Sequence, residues 1–365
     1  MSYTVHSMYF TTDSNVLSTH AQNETNKCDK TLVFTTSRMK STGKRTVCEG
    51  YCDDGKYDKV FIFPDSPLSW KEDDVKMIYQ EQQYIDLLKD ITICGEERPD
   101  RTGTGVKTVF GRSMVFDLRD SIPILTTKRV FVRGVIEELL WFVSGSSDAT
   151  VLGAKNVKIW EHNTSRKFLD DTGLQSLEEG DTGPLYGHTL RHCGAKYIDK
   201  DTDYTGQGVD QLKNVIESIK NDPYGRRHVI SLWNPETIGQ SVLPPCHGGI
   251  VQFFVSTSGE LSCIMYQRSV DAFLGLPFNI MSYAVLTAMI AQVCDLRPGD
   301  MKIDMGDTHI YSTHAEGVDI QIQRTPMKLP TLKLNPEVRD ITAFTIDDFT
   351  VNDYHHHPAI KAAIC

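Results

Sequence analysis

Strands and helices that follow one another irregularly, without an internal repeat, predict an α+β fold: a large mixed β-sheet packed by helices. Three stretches carry this reading. Residues 250–255 and 261–267 read as two strands joined through 256–260, a hairpin with Gly259 in its loop. Residues 279–293 are apolar nearly all round, the pattern of a helix enclosed by protein on every side. Residues 300–311 then return to a strand, so strands flank a buried helix without regular βαβ alternation.

The other elements follow in chain order. Residues 1–74 are rich in Ser, Thr, Asn, Asp and Lys, with apolar islands only near 32–34 and 60–63. They predict a partly disordered extension of unknown role ahead of a folded domain over 75–365, with one strand at 60–63 ended by Pro64. Tyr84, Leu87, Leu88 and Ile91 fall at i, i+3, i+4 and i+7, so an amphipathic helix begins near Glu81. Gly95 suits its C-terminal cap. The turn 100–105 carries Gly103 and Gly105 but neither the third glycine of a dinucleotide loop nor the lysine of a phosphate loop. Residues 135–143 predict a buried helix that contains Glu137 and Glu138. One of the two is expected to face solvent; the other is either a satisfied structural carboxylate or a proton carrier with a raised pKa. Val209, Leu212, Ile216 and Ile219 predict a further amphipathic helix, after which Arg226 and Arg227 open a strand over 228–233.

Composition narrows the function. Across 365 residues, 38 basic and 48 acidic side chains leave a net charge of −10, with 40% hydrophobic and 24% charged residues. This balance excludes a disordered polymer, a collagen-like chain and a uniformly basic nucleic-acid coat. No membrane span is expected: the most apolar tract, 283–294, falls short of the roughly 18–20 residues a bilayer needs. Neither is a secretory signal. Nine cysteines cannot all pair, and Cys48 and Cys52 lack the spacing of a zinc site, so a reducing, cytoplasmic setting is expected.

Chemistry concentrates in a few motifs. In Leu243-Pro244-Pro245-Cys246-His247 two prolines stiffen the backbone before a Cys and a His. A Cys there is a nucleophile if positive charge lowers its pKa, or a buried thiol beside a loop histidine. Arg101, Arg226, Arg227 and Arg268 crowd near turns, and Arg268-Ser269 offers a forked donor and a hydroxyl for a phosphate, with surface salt bridges as the alternative. Asn279 either caps a helix or reads an amide edge such as N3–H and O4 of uracil. Asp307, His309 and Tyr311 alternate on one face of a strand, two polar tips that can hold a sugar hydroxyl. His355, His356 and His357 are consecutive and cannot converge on one ion, so no metal is expected.

From about Glu81 to the C-terminus the chain resembles the thymidylate synthase family. The matches run in order: Arg101-Thr-Gly-Thr-Gly, Leu125-Thr-Thr-Lys-Arg-Val, Glu138-Leu-Leu-Trp-Phe, Gly183-Pro-Leu-Tyr186-Gly, Gly206-Gln-Gly-Val-Asp-Gln, the Cys246 pentapeptide, Tyr266-Gln-Arg-Ser, Gly275-Leu-Pro-Phe-Asn279-Ile and Gly306-Asp-Thr-His309-Ile-Tyr311. The resemblance implies a catalytic domain over 75–365 that dimerises through its sheet face. It implies reductive methylation of dUMP to dTMP with 5,10-methylenetetrahydrofolate as co-substrate, through a covalent bond from Cys246 to C6 of the pyrimidine. In this reading Glu138 relays protons, Tyr186 and His247 support its water network, and Arg268 and Asp271 complete the catalytic set. The nucleotide is held by Arg101, Arg268, Ser269, Asp271, Asn279, His309 and Tyr311, with Arg226 and Arg227 reaching across a homodimer interface. Ile159, Trp160, Asn163, Asp271, Leu274, Gly275 and Phe278 match folate-pocket positions.

Three departures from the family pattern stand out. His188-Thr189-Leu190-Arg191 replaces a run that usually holds Gln and Trp, Gly248-Gly249 follow Cys246-His247 where larger residues are common, and the tail ends in Cys365 instead of Ala-Val. They lie near the part of the site that would exclude water, so a dUMP 5-hydroxymethylase is the first alternative. The second is a non-catalytic homologue that binds nucleotide or RNA, since some family members bind messenger RNA.

Overall fold

The computed structural model describes residues 8–10, 32–34, 40–42, 45–51, 60–63, 72–100 and 103–362, with side chains from Gln80 onward. The chain divides into two units, Met1–Val75 and Lys76–Cys365. Among its described residues the first holds five strands: β1 (Met8–Phe10), β2 (Leu32–Phe34), β3 (Lys40–Thr42), β4 (Arg45–Tyr51) and β5 (Val60–Phe63). β4 pairs antiparallel with β2, β3 and β5, and β1 runs parallel to β2. The strand expected at 60–63 is thus present.

The second unit is built on a six-stranded sheet in the order β6-β7-β11-β10-β9-β8. Its strands are β6 (Glu96–Arg98), β7 (Val106–Asp117), β8 (Val229–Ile230), β9 (Ile250–Val255), β10 (Glu260–Asp271) and β11 (Arg297–Tyr311). β10 and β11 are parallel; every other neighbouring pair is antiparallel. The sheet is mixed, as an irregular order of elements requires. Strand alternation divides its faces. Met114, Val251, Phe253, Cys263, Met265, Met301 and Ile303 are buried, whereas Val115, Ile250, Phe254, Ile264 and Tyr266 point outward.

Two helices close the buried face. α7 (Gly275–Val293) packs on β10 and β11 and against α2 (Val132–Ser144). α7 is long and apolar enough to cross a membrane, but 78% of that window is buried inside the fold, as in the core helix of a globular domain. The expected helix start near Glu81 is too late: α1 runs Glu72–Cys94, with Tyr84, Leu88 and Ile91 fully buried. Between α2 and β8 lie α3 (Thr150–Ala154), α4 (Arg166–Asp171), α5 (Tyr186–Arg191) and α6 (Gln211–Asn221). α6 begins after Val209, which is exposed; the Asp210 side chain caps it by accepting from Lys213 N–H.

The strand expected over 228–233 shrinks to β8, two residues long. The cause is a long-range side chain. Gln211 accepts from Ser231 N–H at 2.9 Å and donates to Ser231 C=O at 2.8 Å, taking both groups a ladder would use. After β11 the chain adds α8 (Ala315–Gln321) and a small sheet of β12 (Thr331–Leu334) and β13 (Phe349–Asn352).

Candidate active site

The parallel register of β10 and β11 sets Ser269 beside Asp307 and Asp271 beside His309, so the ends of both strands converge. The Cys246 loop is fastened to this convergence through its main chain. Arg268 N–H donates to Cys246 C=O at 2.8 Å, Ser269 N–H to the same oxygen at 3.3 Å, and Arg268 Nε to Pro245 C=O at 3.2 Å. The Arg268 guanidinium lies 5.2 Å from the Trp233 ring centroid. Pro244 and Pro245 bring no N–H to satisfy, and Cys246 N–H donates to the Tyr186 hydroxyl at 2.9 Å. Cys246 is half-buried, its thiol donates to Pro244 C=O at 3.7 Å, and its carbonyl is held by the Arg268–Ser269 pair.

Behind the thiol stands a stack of rings. Tyr186, at the start of α5, and His247 are parallel within 5° with centroids 4.3 Å apart, and His247 Nδ1 is 2.9 Å from the Tyr283 hydroxyl. Burial holds the His247 imidazole down to about 3, so it is neutral at physiological pH. Phe142 and Trp160 pack on Tyr186 at 4.9 and 6.1 Å. Trp160 Nε1–H donates to Glu138 Oε1 at 2.8 Å. Burial pushes the Glu138 carboxyl up to about 7, with the Trp160 bond opposing the rise, so it can take or release a proton near neutrality. The expectation that one glutamate of this helix faces solvent is not met. Glu137 is only 2% exposed and is neutralised by Lys155 at 2.7 Å and Arg133 at 3.8 Å. A cation therefore distinguishes the structural glutamate from its unpaired-with-charge neighbour.

The remaining candidates line the same end of the sheet. His309 Nδ1 is 3.0 Å from Asp307 Oδ1, and the rings of His309 and Tyr311 meet edge to face at 5.1 Å. Asp271 Oδ1 accepts from Phe273 N–H at 2.9 Å and Leu274 N–H at 3.0 Å, shaping the turn from β10 into α7. Leu274, Gly275, Phe278 and Asn279 are half-buried at the opening of α7. Asn279 lies inside the helix, whose N-cap is Leu274, so the capping alternative falls away. Ile159 and Asn163 are half-buried on either side of Trp160. Arg226 and Arg227 are exposed in the turn between α6 and β8. Arg101 and Cys365 lie outside the described residues. In the histidine run 355–357, His357 N–H donates to Thr126 C=O at 2.7 Å and its Nε2 lies 3.0 Å from Thr325 C=O.

A profile of the thymidylate synthase family matches residues 82–365. The chain belongs to that family. It is 52% identical over 289 residues to a bifunctional dihydrofolate reductase-thymidylate synthase of Zea mays, an alignment covering 78% of this chain and 55% of the relative. A protein of the same description from Plasmodium chabaudi is 51% identical, with 78% and 48% covered. The human thymidylate synthase is 51% identical over 281 residues, 77% of this chain and 89% of the relative. The chain thus spans about half the length of the bifunctional relatives it matches.

Two of the three departures from the family pattern have places in this geometry; the third, the tail end at Cys365, lies outside the described residues. Leu190 lines a cavity of about 30 Å³ behind the Tyr186–His247 stack, together with Leu139, Leu232 and Leu286. His188 is buried edge-on against Tyr197 and Tyr204, and burial lowers it to about 4. Gly248 has φ +68°, and a Cβ there would come within 2.5 Å of Leu232 Cδ1 and 2.6 Å of the Tyr283 hydroxyl. Sequence reasoning passed over Lys128 and Tyr283. Lys128 is 6% exposed, donates to Phe273 C=O, and lies 3.6 Å from the Phe273 ring centroid. Burial lowers its ammonium to about 7 against the pull of Asp271. Its signal was a lysine inside a matched motif immediately before a buried helix.

Proposed function

We propose that this chain reductively methylates dUMP to dTMP, with 5,10-methylenetetrahydrofolate consumed and released as dihydrofolate. The carrying observation is the half-buried Cys246, whose backbone N–H is held by Tyr186 and whose carbonyl is held by the main chain of an Arg–Ser pair. The thiolate adds to C6 of the uracil ring and makes C5 nucleophilic. The folate supplies a methylene and then a hydride. Glu138, held near neutrality, exchanges protons at the pyrimidine O4 and folate side through ordered water. Neutral His247, bonded to Tyr283, keeps its ring fixed without competing for the proton. Arg268 and Ser269 bind phosphate, Asn279 reads the uracil edge, and His309 with Tyr311 holds the ribose hydroxyl. Trp160, Leu274 and Phe278 form the folate wall.

The reading includes a homodimer. Ile250, Phe254, Ile264 and Tyr266 make an outward apolar face on the adjacent strands β9 and β10, 65% exposed at Phe254. Such a face is costly in water and suits two-fold pairing with a second copy. Arg226 and Arg227, next to the edge strand β8, would reach the partner's phosphate site. Cys94, Cys193, Cys246, Cys263 and Cys294 are free thiols, which supports a reducing, cytoplasmic setting. The test is an assay with dUMP and methylenetetrahydrofolate that follows dihydrofolate by absorbance and identifies the nucleotide product. dTMP formed one-for-one with dihydrofolate is expected. Hydroxymethyl-dUMP without dihydrofolate, or no turnover, refutes the proposal.

A further inference from the structure

Glu81, on α1, is a buried carboxylate with an unusual set of partners. It is 1% exposed. Its Oε2 accepts from Thr126 N–H at 2.8 Å and the Thr126 hydroxyl at 2.5 Å, and its Oε1 accepts from Thr127 N–H at 2.8 Å and the Thr127 hydroxyl at 2.7 Å. Four donors from two consecutive residues therefore fix one loop. Burial pushes the Glu81 carboxyl up, and these four bonds pull it back.

The same loop carries the C-terminal tail. Thr126 C=O accepts from His357 N–H at 2.7 Å, and Arg324 Nη1 bridges Thr127 C=O and Pro358 C=O at 2.7 Å each. The Tyr354 hydroxyl donates to Leu125 C=O at 2.8 Å and accepts from Val130 N–H at 2.9 Å. The next loop residue, Lys128, holds Phe273 C=O, one residue before Leu274. Gly317 brings the two parts together: a Cβ there would lie 2.7 Å from Phe273 Cζ and 3.2 Å from Ile360 Cγ2. The threonine loop thus touches both the tail and the start of the proposed folate wall.

We propose that Glu81 is a positioning residue that sets the C-terminal tail and Lys128 against the folate wall, and so governs use of the folate without touching it. This rests on the synthase reading of the Cys246 site. Glu81→Gln is the discriminating change. An amide offers one acceptor oxygen, and its NH2 must face a threonine N–H that is itself a donor. The Thr126 and Thr127 hydroxyls already accept from Met327 N–H and Gln321 Nε2; one that also accepted from the amide would use its second lone pair and leave both its own O–H and the threonine N–H without their former acceptor.

With the full chain, Glu81→Gln is expected to raise the KM for methylenetetrahydrofolate at least about tenfold, the scale of a lost bond to a charged group. The dUMP Kd should stay within about twofold, because the Cys246 loop is anchored elsewhere. Hydrogen exchange over 354–362 should accelerate. An unchanged folate KM overturns the proposal. So does an equal loss of dUMP and folate binding, which marks a merely structural carboxylate. Should the Gln variant fail to fold, Thr127→Val removes one of the four bonds, together with the one from Gln321 Nε2, and keeps the charge; a smaller change in the same direction is expected, and none overturns the proposal. If the unaltered chain makes no dihydrofolate, the synthase reading is what fails, and the exchange of 354–362 alone then decides whether Glu81 anchors the tail.

Discussion

Replacing Glu138 with Gln removes a carboxyl that the fold holds far from its ordinary range. Burial raises it from 4.5 to about 7. That difference, about 2.5 pH units at about 1.4 kcal/mol each, is linked to roughly 3 kcal/mol of folding free energy. The folded chain binds this proton more tightly than the unfolded chain does. The stabilisation is therefore complete below about pH 4.5, declines as pH rises, and is gone above about pH 7. The Glu138→Gln side chain does not titrate. Stability of the unaltered chain minus that of the variant should thus fall by about 3 kcal/mol between pH 4.5 and 7 and then level off. Urea unfolding at a series of pH values and one fixed protein concentration measures it. A difference that stays flat would mean Glu138 titrates as it does in water. A difference that grows with pH would mean that a cation faces it, and either result refutes a desolvated proton carrier at this position.

The other predictions concern the thiol, the substrate edge and the glycine beside them. Cys246→Ser should abolish dihydrofolate formation while dUMP still binds by calorimetry; and mixing it with Arg226→Ala should restore activity in heterodimers, whereas no recovery would speak against shared sites. Asn279→Asp should move the kcat/KM ratio from dUMP towards dCMP; an unaltered ratio would remove Asn279 from the uracil edge. Gly248→Ala places a methyl against Leu232 and the Tyr283 hydroxyl at positive φ. It should lower Tm by about 5–10 °C and reduce kcat through the His247–Tyr283 bond; an unchanged Tm would show that the loop relaxes freely.

Much of this arrangement was legible in local pattern. Apolar spacing located α1, α2, α6 and α7, and the hairpin of β9 and β10 was visible because alternation and a loop glycine agree. The Cys246 pentapeptide and Asn279 stood out as residue types. What was hidden depends on partners distant in sequence. Nothing near residue 231 reveals that Gln211 ends β8, and nothing in Glu137-Glu138 says that Lys155 neutralises the first and Trp160 binds the second. The burial of Lys128 and the grip of Glu81 on Thr126 and Thr127 likewise arise only when α1 packs beside a loop some forty residues later, at a separation of 45. The alternation of Asp307, His309 and Tyr311 was readable, but their neighbours on β10 are set by the parallel register.

That parallel pair links two kinds of failure. Side chains on a strand alternate strictly, so a slip of β11 by one residue against β10 would turn Met301 and Ile303 outward in the same movement that parted Asp271 from His309. The oily side of the sheet thereby acts as a proofreader for the reactive end. A chain that has mis-seated its chemistry has also exposed its interior, so faulty copies become recognisable to the cell's disposal machinery before any slow or misdirected turnover gives them away.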